Sequence, residues 1–448
     1  MQSFASVAAS NPHVYFNHNQ KNSYQEPYRN IVRSGDNLEK TILETIESAK
    51  NSIYIAVQEF RLPLVAKALV KKAKAGVDVR VILENSYNHT IEETLKIGTQ
   101  LEEDDEDQSL THAQSSQRDL FAFVDMNGNG ILERDELMER DAIYILRENN
   151  IPIIDDTADG SKGSGLMHHK FLVADGRKTL VSSANFTLSC VHGDTLAPNT
   201  RGNDNSLMAF NSVKLAKIFE EEFLYMWGGI DGKRPKLFGV NKPYRGRQIV
   251  KIGETVVTVQ FSPTSRMRMW QESVNGLIAD ELAKAKESAH LALFVFSEQR
   301  LVDILEKRTL ANPNMSFKLL IEPKFAYRQY SELLDVWGIA LKNEKCEYPE
   351  NNRPWKIPFM TGGAATRENG DQFHHKFAVV DSKTVIFGSQ NWSEAANSTN
   401  EETLIVVRNK EIAEAFEDEH ARAYAEAKLG PTQSLMAKIK QINEACAH

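Results

Sequence analysis

The chain carries one phrase twice. It reads His168-His169-Lys170, four residues, Asp175, six residues, then Ser182-Ser183-Ala184-Asn185. It returns as His374-His375-Lys376, four residues, Asp381, six residues, then Gly388-Ser389-Gln390-Asn391. Strand side chains alternate with period two, so each His-x-Lys sets an imidazole and an ammonium group on one face. Two such faces together are equipment for a phosphodiester: one imidazole attacks phosphorus and the other carries the proton. Attack by a neutral imidazole gives a covalent phosphohistidine, which water then hydrolyses. Lys170, Lys376, Asn185 and Asn391 would stabilise charge on the non-bridging oxygens. Ser183 and Ser389 fit a role in holding their loops. Asp175 and Asp381, at the far ends of the strands, fit structural roles. The scheme requires no metal.

The duplicated phrase resembles the mark of the phospholipase D superfamily, His-x-Lys-x4-Asp-x6-Gly-Ser-x-Asn in two copies. The second copy matches at every position, and the first has Ser182 in the glycine place. The resemblance implies an α/β fold of two similar halves with the active site between them, which a monomer can complete. Glu402, in Asn400-Glu401-Glu402, matches the family's supporting acid, whereas the aligned residue of the first half is Asn205. A carboxylate beside an imidazole favours its protonated form; an amide orients it without that bias. This makes His374 the expected proton carrier and His168 the expected nucleophile, an asymmetry similar to that of tyrosyl-DNA phosphodiesterases. The stretches 184–187, 390–393 and 68–81 look like the nuclease branch. The leading expectation is therefore a metal-independent nuclease with nucleic acid as substrate. A phospholipase D or transphosphatidylase acting on phospholipid is the alternative, and a calcium-dependent non-catalytic binding protein is a third reading.

The elements that must position these residues also repeat. A helical apolar pattern at 37–50 leads into a strand pattern at 52–57, then a helix at 64–74 and a strand at 78–83. The second half gives a helix at 274–288, a strand at 291–296, a helix at 301–308 and a strand at 317–321. Matching helices at 213–227 and 412–427 close the halves. Alternating strands and helices imply mainly parallel sheets flanked by helices. The expected organisation is an N-terminal extension (1–36), a first half (37–230), a linker (231–253), a second half (254–430) and a C-terminal tail (431–448).

The first half is interrupted by an insert at about 101–150. Its residues 125–136 look like an EF-hand loop, with oxygen donors on Asp125, Asn127 and Asn129, and Gly130 at the turn. The Ile131 carbonyl, Glu133 and a bidentate Glu136 complete the expected calcium ligands, and Leu132 is placed to pack against the flanking helices. Calcium is expected to order the insert and not to join the chemistry. A lone hand suits calcium-rich surroundings, which slightly favours a secreted or periplasmic location. The net charge is −8, yet residues 91–160 hold 19 acidic against 5 basic side chains; their −14 leaves +6 on the rest, enough to attract a polyanion. The acidic run 102–107 reads as a solvated stretch. No apolar run approaches the roughly 20 residues that span a bilayer, no amphipathic anchor is visible, and residues 1–12 lack the apolar stretch of a secretory signal. Cys190, Cys346 and Cys446 are widely spaced, make no metal pattern, and read as packing or surface residues.

Overall fold

A computed structural model describes residues 12–101, 112–343, 345–349, 352–368 and 370–446; the acidic run 102–107 lies outside them. One compact unit comprises Tyr15–Phe238 with Glu368–Asp371, and the other comprises Gly239–Arg367 and the chain from Gln372 onward, with residues 12–14 grouped with it.

The first unit runs β1 (His13–Phe16), β2 (Ser23–Gln25), β3 (Val32–Ser34), α1 (Leu38–Ser48), β4 (Ser52–Val57), α2 (Pro63–Lys74) and β5 (Asp78–Leu83). It continues α3 (Ile91–Leu101), α4 (His112–Val124), α5 (Arg134–Arg140), α6 (Ala142–Glu148), β6 (Ile153–Asp155), β7 (Lys170–Ala174), β8 (Lys178–Ser182), α7 (Leu188–Val191), β9 (Ser206–Asn211) and α8 (Val213–Trp227). Asn37 caps α1 by accepting from the Lys40 N–H, and the stripe Leu38, Ile42 and Ile46 buries one face of that helix. Its partner is the core built on Ile53, Ile55 and Val57 of β4. Phe123, Val124 and Leu137 of the insert belong to the same core, and Leu132 packs against it.

The sheet has the order β1-β9-β8-β7-β4-β5-β6 and is mixed, which corrects the expectation of a mainly parallel one. β4, β5 and β6 are parallel because helices return the chain between them, whereas β7 runs antiparallel to both β4 and β8. The reversal lies in the motif itself. Asp175 and Gly176 sit at φ 53° and 56°, the two left-handed residues that a tight β-hairpin turn needs.

The second unit repeats the plan with β10 (Gln248–Ile252), β11 (Thr255–Ser262), α9 (Val274–Leu282), β12 (Ser288–Leu293), α10 (Gln299–Ala311), β13 (Ser316–Ile321), α11 (Pro323–Ala326) and α12 (Glu332–Val336). Then come β14 (Gly362–Ala364), β15 (Lys376–Val380), β16 (Thr384–Gly388), α13 (Glu394–Ser398), β17 (Glu402–Arg408), α14 (Lys410–Ala425), β18 (Lys428–Leu429) and α15 (Gln433–Ala445). Its nine strands are also mixed, in the order β10-β11-β17-β16-β15-β12-β13-β14-β18. Three expectations are corrected. The end of the presumed linker is the edge strand β10, paired antiparallel with β11. The presumed tail is helix α15, which buries Leu435 and is tied by a Cys346–Cys446 disulfide. β12 starts and ends earlier than the apolar run suggested, because Phe296 leaves the strand to pack edge-on against Trp392.

Candidate active site

In the first unit, Val57 pairs with Lys170, and the Gln58 N–H donates to the His169 carbonyl at 3.1 Å. The extended backbone turns His169 away from its neighbours, toward Glu222 on α8 at 3.5 Å, with both side chains buried. The Lys170 ammonium is also buried; it donates to the His168 carbonyl at 3.0 Å and to Gln58 Oε1 at 3.2 Å. Asn185 Nδ2 donates to the same Gln58 oxygen at 3.4 Å. One glutamine oxygen therefore ties together the two groups expected to hold phosphate oxygens. Ser183 donates to Asn205 Oδ1 at 2.8 Å and accepts from the Ser206 N–H. Asn205 in turn donates to the carbonyls of Cys190 and Asn203, both at 3.0 Å.

The second unit builds the same frame with a different lining. Leu293 pairs with Lys376, and the Phe294 N–H donates to the His375 carbonyl at 2.7 Å. Phe294 occupies the place of Gln58. Its ring lies 4.7 Å from that of His374 in an edge-on arrangement, and the Lys376 ammonium stands 4.7 Å from its centroid. Lys376 donates to the His374 carbonyl at 2.9 Å. Ser389 donates to Glu402 Oε2 at 2.6 Å and accepts from the Thr403 N–H. His375 meets Glu419 at 2.9 Å, and Glu419 also faces Arg422 at 2.6 Å. Burial alone would push the Glu419 carboxyl up; the Arg422 charge and the bond from His375 outweigh it and hold the group ionised.

Sequence reasoning named Asn205 and Glu402 as partners for the imidazole of their own half. Within its own unit each braces the motif serine, Asn205 accepting from Ser183 and Glu402 from Ser389. Asp175 and Asp381 sit at the turns. Asp175 accepts from the N–H groups of Lys50, Asn51 and Ser52 at 2.6–3.1 Å, and Asp381 from those of Lys286, Glu287 and Ser288 at 2.7–3.1 Å. Each closes the helix-to-strand junction that begins the motif's neighbouring strand.

The one departure between the copies has a steric explanation. A Cβ on Gly388 would stand 2.1 Å from the Thr403 carbonyl oxygen, so only glycine fits there. In the first unit Ser182 instead donates to the Ser206 carbonyl at 2.9 Å and accepts from Ala184 N–H. Gln58, Phe294, Glu222 and Glu419 escaped the sequence analysis. The first two lie at the ends of the strands beside the motif strands, so aligning the two halves could have found them. Glu59, next to Gln58, is a further carboxyl; burial pushes it up against the lowering effect of Arg61 and Lys170.

In the insert loop between α4 and α5, backbone N–H groups converge on side-chain oxygens. Asp125 accepts from the N–H groups of Gly128, Asn129 and Gly130, and Asn129 Oδ1 accepts from Ile131 N–H. Glu136 accepts from the N–H groups of Asn127 and Glu133, capping α5, while Asn127 and Asn129 both donate to Glu133. The side-chain oxygens of Asp125, Asn127, Asn129 and Glu136 with the Ile131 carbonyl are an all-oxygen set of the kind a hard cation takes.

The family model described as "Cardiolipin synthase, PLD-like domain" matches residues 42–227 and 278–424. Mitochondrial cardiolipin hydrolase of Xenopus tropicalis is 37% identical over 71 residues, 15% of this chain and 34% of that protein. The chain thus spans about a third of the length of that relative. Cardiolipin synthase 1 of Bacillus anthracis is 21% identical over 398 residues, covering 87% of this chain and 65% of that one. The crystal structure of phosphatidylserine synthase from Haemophilus influenzae superposes with a TM-score of 0.54 at 11% identity, covering 97% of this chain and 93% of that chain. That likeness concerns the fold.

Proposed function

The chain belongs to the phospholipase D superfamily, through its cardiolipin synthase-type domain, and from that premise we propose that this phosphodiesterase acts on phospholipids. The observation that carries the substrate class is that the sequence relatives are named for cardiolipin chemistry. The nuclease reading, which led on sequence alone, becomes the second reading. It retains the likeness of the stretches 184–187 and 390–393 to the nuclease branch.

In the proposed reaction His168 attacks the phosphorus of a phosphodiester. A P–N bond forms, the P–O bond to the headgroup alcohol breaks, and His374 gives its proton to the departing oxygen. His374, now neutral, takes a proton from water or from a second alcohol, whose oxygen displaces His168. Water yields a phosphomonoester; an alcohol yields a new diester. Lys170 and Asn185, tied to Gln58, and Lys376 and Asn391 stabilise the charge on the non-bridging oxygens. The choice of His374 as proton carrier rests on the sequence difference between the halves, a carboxylate at Glu402 where the first half has the amide of Asn205.

The test is headgroup release from phosphatidylglycerol and phosphatidylcholine, run in EDTA beside end-labelled single- and double-stranded DNA. The expected result is lipid turnover in EDTA that His168→Ala and His374→Ala each lower by at least about a thousandfold. DNA cleavage without lipid turnover would return the reading to a nuclease.

The loop 125–136 is proposed to bind calcium and to order the insert, whose Phe123, Val124 and Leu137 share the first core. Calcium should protect the insert from proteolysis, and Glu136→Gln should weaken that protection at least about tenfold in calcium concentration. Equal protease resistance with and without calcium would remove the proposal.

A further inference from the structure

The turn that follows β11 in the second unit reads Ser265-Arg266-Met267-Arg268-Met269-Trp270. Met267 is 95% exposed and Met269 is 67% exposed, the former the most exposed large apolar side chain among the described residues. The turn is nonetheless firmly braced. Thr264 N–H donates to the Asn397 carbonyl at 2.9 Å, and Arg266 Nε meets Glu394 at 3.1 Å and Ser398 at 3.3 Å. Glu394, Asn397 and Ser398 all belong to α13, the helix that starts three residues after the motif's Asn391. Asn397 also accepts from Asn275 N–H, and Asn275 accepts from Gln390 within the motif itself. Arg268 stacks over Tyr244 at 3.7 Å, and the Tyr244 hydroxyl donates to the Glu272 carbonyl. Trp270 stands under Arg300 at 5.0 Å.

We propose that this turn is a phospholipid-bilayer docking wedge: Met267 and Met269 enter the acyl region while Arg266, Arg268 and Tyr244 form a collar at headgroup level, with Trp270 anchoring the turn to the second core. Flexible, unbranched thioethers insert into disordered surroundings readily. Arginine keeps its charge at the phosphate level while its stem lies in apolar surroundings, and tyrosine favours the boundary. A nucleic acid fits this surface poorly. Arg266 already faces Glu394 and Arg268 faces Glu272 at 3.6 Å, and the two methionines offer phosphates no hydrogen bond. The inference deepens the phospholipid reading and rests on it for the identity of the surface. It explains how an enzyme of this kind would bring the end of β16 and the start of α13 against its substrate's own phase.

The experiment is co-flotation of the full chain with vesicles of equimolar phosphatidylcholine and phosphatidylglycerol. Met267→Ser/Met269→Ser should bind vesicles at least about tenfold more weakly. Met267→Leu/Met269→Leu should restore binding, and both variants should turn over a dispersed short-chain phospholipid as the wild type does. Vesicle binding that is absent in the wild type, or unchanged by the serine pair, overturns the wedge. If the wild type floats through its methionines but releases no headgroup from any phospholipid, docking stands and the substrate reading falls.

Discussion

Replacing Asp381 separates support from chemistry at the acidic position of the motif. Its carboxylate accepts three backbone N–H bonds at 2.7–3.1 Å. A bond to a shielded ionised acceptor is worth ~1.5–3 kcal/mol; Asp381 is only partly buried, so solvent lowers this to about 1 kcal/mol per bond. Asp381→Ala loses all three and places alanine at φ 52°, which costs about 1 kcal/mol more. The expected loss is about 3–4 kcal/mol. Asp381→Asn keeps an acceptor oxygen and tolerates the left-handed backbone, so about 1 kcal/mol is expected. Burial raises the Asp381 carboxyl, but its bonds from Ser288, Glu287 and Lys286 outweigh this and leave it below the ordinary carboxylate value. The charge therefore stabilises fully above the unfolded pKa, about 3.9, and that contribution fades as pH falls through the lower folded value. Urea unfolding should find the wild type and Asp381→Asn about 1 kcal/mol apart at pH 7 and converging below about pH 4. Turnover of a p-nitrophenyl phosphodiester by the folded Asp381→Asn protein should stay near wild type. Loss of about a hundredfold or more in turnover with unchanged stability would refute the argument, since that is the mark of a proton-transfer group.

Gly388→Ala should cost about 2–3 kcal/mol by thermal melting, because its Cβ meets the Thr403 carbonyl and β16 must part from β17. Ser182→Gly at the equivalent place should cost only about 1 kcal/mol. Gln58→Ala should lower kcat roughly tenfold with a smaller change in KM, because Lys170 and Asn185 lose their common tether. Unchanged steady-state kinetics would mean that the two groups are positioned without it.

The duplicated motif was legible because its chemistry needs particular residues at particular spacings, and because a repeated strand-helix order surrounds it. The sheet direction was misjudged where the motif hides its own reversal: Asp175-Gly176 and Asp381-Ser382 are hairpin turns inside one apolar pattern. Gln58 and Phe294 were missed since strand ends carry no signature until their neighbours across the sheet are known. The Cys346–Cys446 bridge depends on where α15 docks, and a spacing of 100 residues does not announce it. The methionine turn escaped a search for amphipathic helices because it is a turn. The branch of the family was the least legible, since the residues that handle phosphorus do not encode what lies beyond the phosphate.

The most direct measurement is to trap the intermediate. Phosphatidyl-p-nitrophenol has a leaving group that needs no proton, so His374→Ala should still be phosphatidylated and then stall. Mass spectrometry after an alkaline quench should find the phosphatidyl group on the peptide containing His168, and none in His168→Ala. An adduct on His374, or no lipid adduct where a nucleotide diester gives one, would contradict the account.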